Sequence, residues 1–257
     1  MKNISDEVVQ IETLVGPTTS PPAGCIISAG DYGDLIVPAS PTSYDDEFTG
    51  TLNTTTKWTV AGTVTGQVTC ANQAPSYLQM ASQYGTSGAF TLTCTETIVT
   101  AAGFMFQWKV RLLLTPFFPT AATSAYMAAT CGLLFGTTNS IGLKFYAQTS
   151  GGTTPLQYSQ PLVYNGNAFG TQVKALASGL LTGLDYRIRI GLSGANLVVQ
   201  LSPDGWNWLT VYSEVFASGP SLTNNFPTSL RMQLDNAGTG NANSSGMACW
   251  DYVRKIA

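Results

Sequence analysis

Residues 186–211 read YRIRIGLSGANLVVQLSPDGWNWLTV, and this stretch decides the fold. Tyr186, Ile188 and Ile190 alternate with Arg187, Arg189 and Gly191. Ser193-Gly194-Ala195-Asn196 turns the chain, and Leu197, Val199 and Leu201 then alternate with Val198 and Gln200. Ser202-Pro203-Asp204-Gly205 turns it again into Trp206, Trp208 and Leu209. Side chains on a strand point to opposite faces in turn, so period two between short Gly, Asn and Asp turns predicts antiparallel hairpins. Asp204 and Gly205 read as turn formers, and Trp206 and Trp208, which share strand parity, as core or rim residues.

The same alternation runs through the rest of the chain. Phe104, Phe106, Trp108, Val110 and Leu112 fall on one face of a strand, with Met105, Gln107, Lys109, Arg111 and Leu113 on the other, so Trp108 is expected in the core. Further strands are expected at 66–70, 76–81, 89–100 (broken near Thr95), 125–136, 141–148, 156–164 and 171–176, and then at 184–192, 196–202, 206–215, 228–235 and 247–256. No stretch carries a long helical period, and no internal repeat points to a propeller or β-helix. More than a dozen short strands with turn signals predict an all-β, two-sheet antiparallel jelly-roll sandwich.

Three segments carry a family resemblance. Asp45-Asp46-Glu47-Phe48, followed by Gly50, Leu52 and Lys57-Trp58, has the form of an opening clamp with Phe48, Leu52 and Trp58 as apolar anchors. The Y-R-I-R-I strand leads into S-P-D-G-W-N-W at 186–208. Ala248-Cys249-Trp250-Asp251-Tyr252-Val253-Arg254 forms a closing strand. In this order they resemble the concanavalin A-like (laminin G-like) jelly rolls, and they bracket residues 45–257 as one β-sandwich domain. The resemblance implies fold rather than function, because this fold hosts lectins, glycosidases, adhesins and structural modules.

Composition excludes several classes. The chain has no histidine, which removes Ser-His-Asp triads, imidazole general bases and histidine metal sites together. Charged residues make up 10%, against roughly 25% in average soluble proteins, so the surface is neutral and polar. The net charge is −3, and Lys and Arg occur singly rather than in a stripe, which argues against nucleic-acid binding. No apolar run reaches the ~20 residues that span a bilayer, so no membrane insertion is expected. The first residues, MKNISDEVVQIETLVG, lack the apolar region of a Sec signal peptide. None of Cys25, Cys70, Cys94, Cys131 and Cys249 forms a C-x-x-C pair; Cys70 and Cys94 each end a Thr-rich strand and are either bridged or small buried hydrophobes.

Glycosidases need two carboxylates on one face. The laminarinase-like members of the resembled family carry them as E-x-D-x-E on one strand, and this chain has no such motif, so no catalytic residue and no enzymatic activity are expected. Sugar binding calls for aromatic platforms beside polar hydrogen-bonding groups. Tyr126, Tyr146, Tyr158 and Tyr164 flank segments rich in Gly, Asn and Gln and are the candidate carbohydrate-binding residues, with filling of the sandwich ends as their alternative role. No cofactor is required; calcium is the one ion the sequence suggests, with Asp45, Asp46 and Asp251 as candidate ligands if the first and last strands pair.

Residues 1–44 differ from the remainder. Val8, Val9, Ile11 and Leu14 fit a strand or a helical turn, GPTTSPPAG is a Pro-rich connector, and Ile26, Ile27, Leu35, Ile36 and Val37 form two short apolar runs. The reading is an extended N-terminal docking arm that inserts into neighbouring subunits, or a strand added to the body. Arm, low charge and resemblance together lead to the expectation of a non-enzymatic bacteriophage virion protein at the tail or capsid surface. It would have other virion proteins and its own copies as partners, and would contact a host surface glycan or brace the shell. A secreted carbohydrate-binding module or a degenerate glucanase is the competing expectation.

Overall fold

The computed structural model describes residues 44–48, 51–62, 67–70, 77–82, 88–95, 103–115, 124–136, 139–150, 158–165, 169, 171–175, 183–216, 227–239 and 245–256. The arm positions Val8, Val9, Ile11, Leu14, Ile26, Ile27, Leu35, Ile36 and Val37 lie outside the described residues.

Among the described residues the chain forms β1 (Trp58–Gly62), β2 (Gln67–Cys70), β3 (Leu78–Ser82), β4 (Gly88–Cys94), β5 (Met105–Thr115), β6 (Ser124–Phe135) and β7 (Asn139–Ser150). These are followed by β8 (Tyr158–Asn165), β9 (Thr171–Ala175), β10 (Asp185–Ser193), β11 (Asn196–Ser202), β12 (Leu209–Val215), β13 (Ser229–Thr239) and β14 (Ser245–Lys255). They make two seven-stranded sheets. The first runs β1-β4-β13-β6-β7-β8-β9 and the second β12-β11-β10-β5-β14-β3-β2, with antiparallel pairing throughout. This is the expected sandwich. The two C-terminal strands sit centrally, β13 between β4 and β6 and β14 between β5 and β3.

Period two sorts the residues between the sheets and the outside. Phe106, Trp108, Val110 and Leu112 of β5 and Ile188 and Ile190 of β10 point inward. They share one core with Leu92 of β4, Ala129, Cys131 and Leu133 of β6, Leu143 and Phe145 of β7, and Leu230 and Met232 of β13. Trp108 is fully buried, as its parity requires. Each such side chain stabilises the fold by about 1.5–3 kcal/mol. On β14 the register shifts between Trp250 and Tyr252, so Trp250 and Val253 both enter the core while Tyr252 and Arg254 lie outside it. A one-residue bulge re-aims everything that follows.

The opening clamp closes on this last strand. Asp46 and Val253 exchange backbone hydrogen bonds of 2.8 and 2.9 Å. Asp46 Oδ1 accepts the Phe48 N–H (2.8 Å) and Oδ2 accepts the Trp58 indole N–H (2.7 Å). Phe48 is buried against Trp58, with ring centroids 6.0 Å apart.

One expectation is corrected. The strand expected at 206–215 begins at Leu209, and Trp206 is 66% exposed rather than core. The cause is the Asp204 carboxylate, which accepts the Trp206 and Asn207 backbone N–H groups, the Asn207 side-chain amide and the Ser202 hydroxyl, holding the turn closed for longer than the sequence suggests. These donors, the Asn207 backbone N–H first, hold the Asp204 pKa far below the usual carboxylate range. Of the two alternatives left open for Cys70 and Cys94, the unbridged one holds: the Cys94 sulfur is a buried thiol on the first sheet, and Cys70 belongs to β2 at the edge of the second.

Candidate functional site

The outer face of the first sheet carries the candidate site. On β13 the apolar residues Leu230, Met232 and Leu234 face the core, so Arg231, Gln233 and Asp235 face outward. Register extends these positions into rows across the sheet. Thr93, Arg231, Gly132, Gly142 and Tyr164 occupy one row, and Thr91, Gln233, Thr130, Lys144 and Leu162 the next. Ala89, Asp235, Ala128, Tyr146 and Gln160 follow, then Ala237, Tyr126, Gln148 and Tyr158.

Phe169 bounds this surface. It is buried outside the main core, and a side chain at either Gly132 or Gly142 would collide with its ring, so the two glycines are the floor on which the ring rests. The Phe169 N–H donates to Ser140 Oγ (2.8 Å) and its φ is 61°. That left-handed conformation costs a non-glycine residue about 1–3 kcal/mol, which the packing and the hydrogen bond offset.

The polar residues beside it are closely placed and incompletely matched. Gln233 Nε2 donates to Asp235 Oδ1 (2.6 Å), and Lys144 Nζ stands 3.7 Å from Asp235 Oδ2. Asp235 Oδ2 and Thr130 Oγ1 are buried and have no hydrogen-bond partner. Such groups are rare in native structures and each costs about 1–3 kcal/mol. Burial pushes the Asp235 pKa up, against the opposing pull of Lys144. Burial likewise pushes the Lys144 ammonium down, opposed by Asp235. The Arg231 Nε–H donates to Thr93 Oγ1 (3.0 Å), and burial lowers the guanidinium pKa.

Asp235 is the one acid on the seven strands of this sheet. A two-carboxylate glycosidase pair is therefore absent from these strands. What the face does offer is two cations, a carboxylate, an amide and a hydroxyl within three neighbouring rows, the donor and acceptor mixture that recognises hydroxylated ligands.

The sequence candidates meet this geometry in different ways. Tyr126, Tyr146, Tyr158 and Tyr164 lie on β6, β7 and β8, with Tyr158 the first residue of β8 and Tyr164 next to its last, and their strand positions are in phase with Asp235 and Lys144. Asp45 and Asp46 do approach the last strand, but Asp45 Oδ1 accepts the Lys255 N–H (2.6 Å) and Asp251 pairs with Lys109 Nζ (2.7 Å). With Asp46 also engaged, the three carboxylates do not converge, and no group able to hold a metal ion occurs among the described residues. Arg231, Gln233, Asp235, Thr130 and Lys144 escaped the sequence reading. The signal in TSLRMQLD was the outward half of a strand recognised by its inward half.

The outer face of the second sheet is built differently. Arg189 Nε donates to Gln107 Oε1 (2.7 Å), and Gln107 Nε2 donates to the Tyr252 hydroxyl (2.6 Å). Arg254 stacks on the Tyr252 ring and donates twice to the Glu47 carboxylate (2.6 and 2.7 Å). Trp208 covers Arg189, with the guanidinium carbon 3.8 Å from the ring centroid.

No protein-family model matches the chain, and no curated protein matches it in sequence. Solved structures do match its fold. A β-1,3-glucanase from Mycobacterium marinum superposes with a TM-score of 0.54 at 14% identity, covering 84% of this chain and 99% of the other. A glycosyl hydrolase family 16 protein from Mycobacterium smegmatis gives 0.51 at 15%, covering 82% and 98%. Winged bean acidic lectin, complexed with methyl-α-D-galactose, gives 0.51 at 12%, covering 82% and 98%. The fold is thus the concanavalin A-like jelly roll shared by these enzymes and lectins.

Proposed function

We propose that this chain is a non-enzymatic, lectin-like sandwich of a virion surface that binds a saccharide on the outer face of its first sheet. The observation that carries the reading is a pair of buried oxygens without a hydrogen bond, Thr130 Oγ1 and Asp235 Oδ2, beside Arg231, Gln233 and Lys144. A face with unsatisfied polar groups gains from a ligand that supplies hydroxyl donors. A single carboxylate on these strands supports binding over hydrolysis.

The virion setting rests on the sequence. Residues 1–44 carry short apolar runs around a Pro-rich connector, and a chain with only 10% charged residues packs against neighbours at low desolvation cost. In this reading residues 1–44 dock the protein onto other virion proteins and onto further copies of itself. The sandwich of residues 45–257 then meets the host glycan or braces the particle.

A degenerate glucanase is the second reading, favoured by Asp235, whose buried carboxyl holds its proton more tightly than usual, as a general acid must. Two measurements separate the readings. On a glycan array, full-length protein is expected to retain defined saccharides, and incubation with β-glucans is expected to release no sugar. Reducing ends appearing in proportion to protein, and vanishing in Asp235→Asn, would establish the enzyme instead. For the arm, a chain lacking residues 1–44 is expected to bind glycan normally yet fail to join particles; normal incorporation would remove the docking role.

A further inference from the structure

The saccharide reading becomes more specific at Arg231. A guanidinium has five N–H donors in a planar fork. Arg231 uses one, Nε–H, on Thr93 Oγ1, and no carboxylate pairs with it among the described residues. Two arginines of the second sheet are placed otherwise: Arg111 holds Asp185 through two bonds (2.6 and 3.1 Å), and Arg254 holds Glu47. Arg231 is also half-buried, so a cation lacking an anion is kept partly out of water.

The row that holds Arg231 continues through Gly132 and Gly142, and the Phe169 ring, resting on both glycines, bounds the guanidinium on that side. In the next row Lys144 adds a second cation. The one acid of the sheet, Asp235, lies two positions along β13 and is turned toward Lys144 and Gln233. Among the described residues of these rows, two cations stand beside one carboxylate, in a chain whose net charge is −3.

We infer that the ligand of this face is an acidic saccharide whose carboxylate or sulfate docks on the Arg231 guanidinium. The inference rests on the saccharide reading above and narrows it to an anionic class. Planar, two-point pairing of guanidinium with an oxyanion is stronger than a neutral hydrogen bond and fixes orientation.

The test is titration calorimetry of the full chain with three probes: a uronic-acid oligosaccharide, the same oligosaccharide with its carboxyls reduced to alcohols, and a sulfated oligosaccharide. At least one anionic probe is expected to bind about tenfold or more tighter than the reduced one, from the free energy of hydrogen bonds to a charged group. That margin should shrink with added salt and disappear in Arg231→Gln. Arg231→Lys, which keeps the charge and loses the fork, should keep part of it and guards against a folding failure of the glutamine variant. If the reduced probe binds as tightly as both anionic ones, the anionic class is overturned while saccharide binding stands. Anion preference persisting undiminished in both variants overturns the role of Arg231. Binding to no saccharide, here and on the array, overturns both readings.

Discussion

The two outer faces of this sandwich use similar residues to opposite ends. On the second sheet Arg189, Gln107, Tyr252, Arg254 and Glu47 form a chain of hydrogen bonds and stacked rings, and Lys109 closes on Asp251. Five of the eleven basic residues of the protein (Lys109, Arg111, Arg187, Arg189 and Arg254) lie there, cross-linking strands that are far apart in sequence. On the first sheet Asp235 Oδ2 and Thr130 Oγ1 are buried without a hydrogen bond, and among the described residues Arg231 bonds to a hydroxyl rather than a carboxylate. A polar network whose members bind one another rigidifies a fold, and an incomplete one is the place to look for a ligand.

Substitutions can break that contrast. The largest effect is expected on the second sheet: Glu47→Ala leaves the almost fully buried Arg254 without that carboxylate and should cost about 2–3 kcal/mol in urea unfolding, less than for a fully buried pair because Glu47 is itself 41% exposed. Asp235→Asn should cost less, about 1–2 kcal/mol, because its contact with Lys144 is long and one of its oxygens has no hydrogen-bond partner to lose. Equal costs at the two sites would mean that the faces do not differ. Gly142→Ala drives a methyl group into the Phe169 ring and should destabilise by about 1–2 kcal/mol, with saccharide affinity falling as the ring is displaced. Trp208→Ala removes the ring over Arg189 and should cost about 1 kcal/mol with no change in saccharide binding.

Acid titration sharpens the same comparison. Asp204, in the hairpin of the second sheet, has a pKa depressed by its hydrogen-bond donors, so its contribution is present above the unfolded carboxylate value of about 3.9 and is lost as pH falls below it. Asp235 has the opposite sign. Burial raises its pKa, so the folded state holds the proton more tightly, and its contribution is greatest at low pH and declines as pH rises from about 4 through the raised value. Unfolding curves of Asp204→Asn and Asp235→Asn against pH should therefore diverge from the parent with opposite slopes; parallel slopes would contradict the assigned environments.

How much could be read beforehand follows residue by residue. The alternation of Phe106, Trp108 and Val110 is visible because a strand imposes period two on whatever faces the core, and all three are buried. Asp204 was legible as a turn former because its partners, Ser202, Trp206 and Asn207, are within three residues of it. The exposure of Trp206 was not legible, since strand parity alone does not say where pairing with β11 resumes. Asp251 looked like a calcium ligand beside Asp45 and Asp46 until the register of β14 placed it against Lys109.

The sequence by itself determined the sandwich, its inward faces, its turns and the lack of histidine chemistry, since each is written in local spacing or composition. The tertiary structure decided which outward residues meet. Arg231 and Asp235 come from β13, Thr130 from β6, Lys144 from β7 and Phe169 from beyond β8, and only the order β13-β6-β7-β8 sets them side by side. An outward position is free of the core's demand for apolar side chains, so nothing in the local pattern marks it. Its meaning is set by neighbours more than a hundred residues away, as Thr93 is from Arg231.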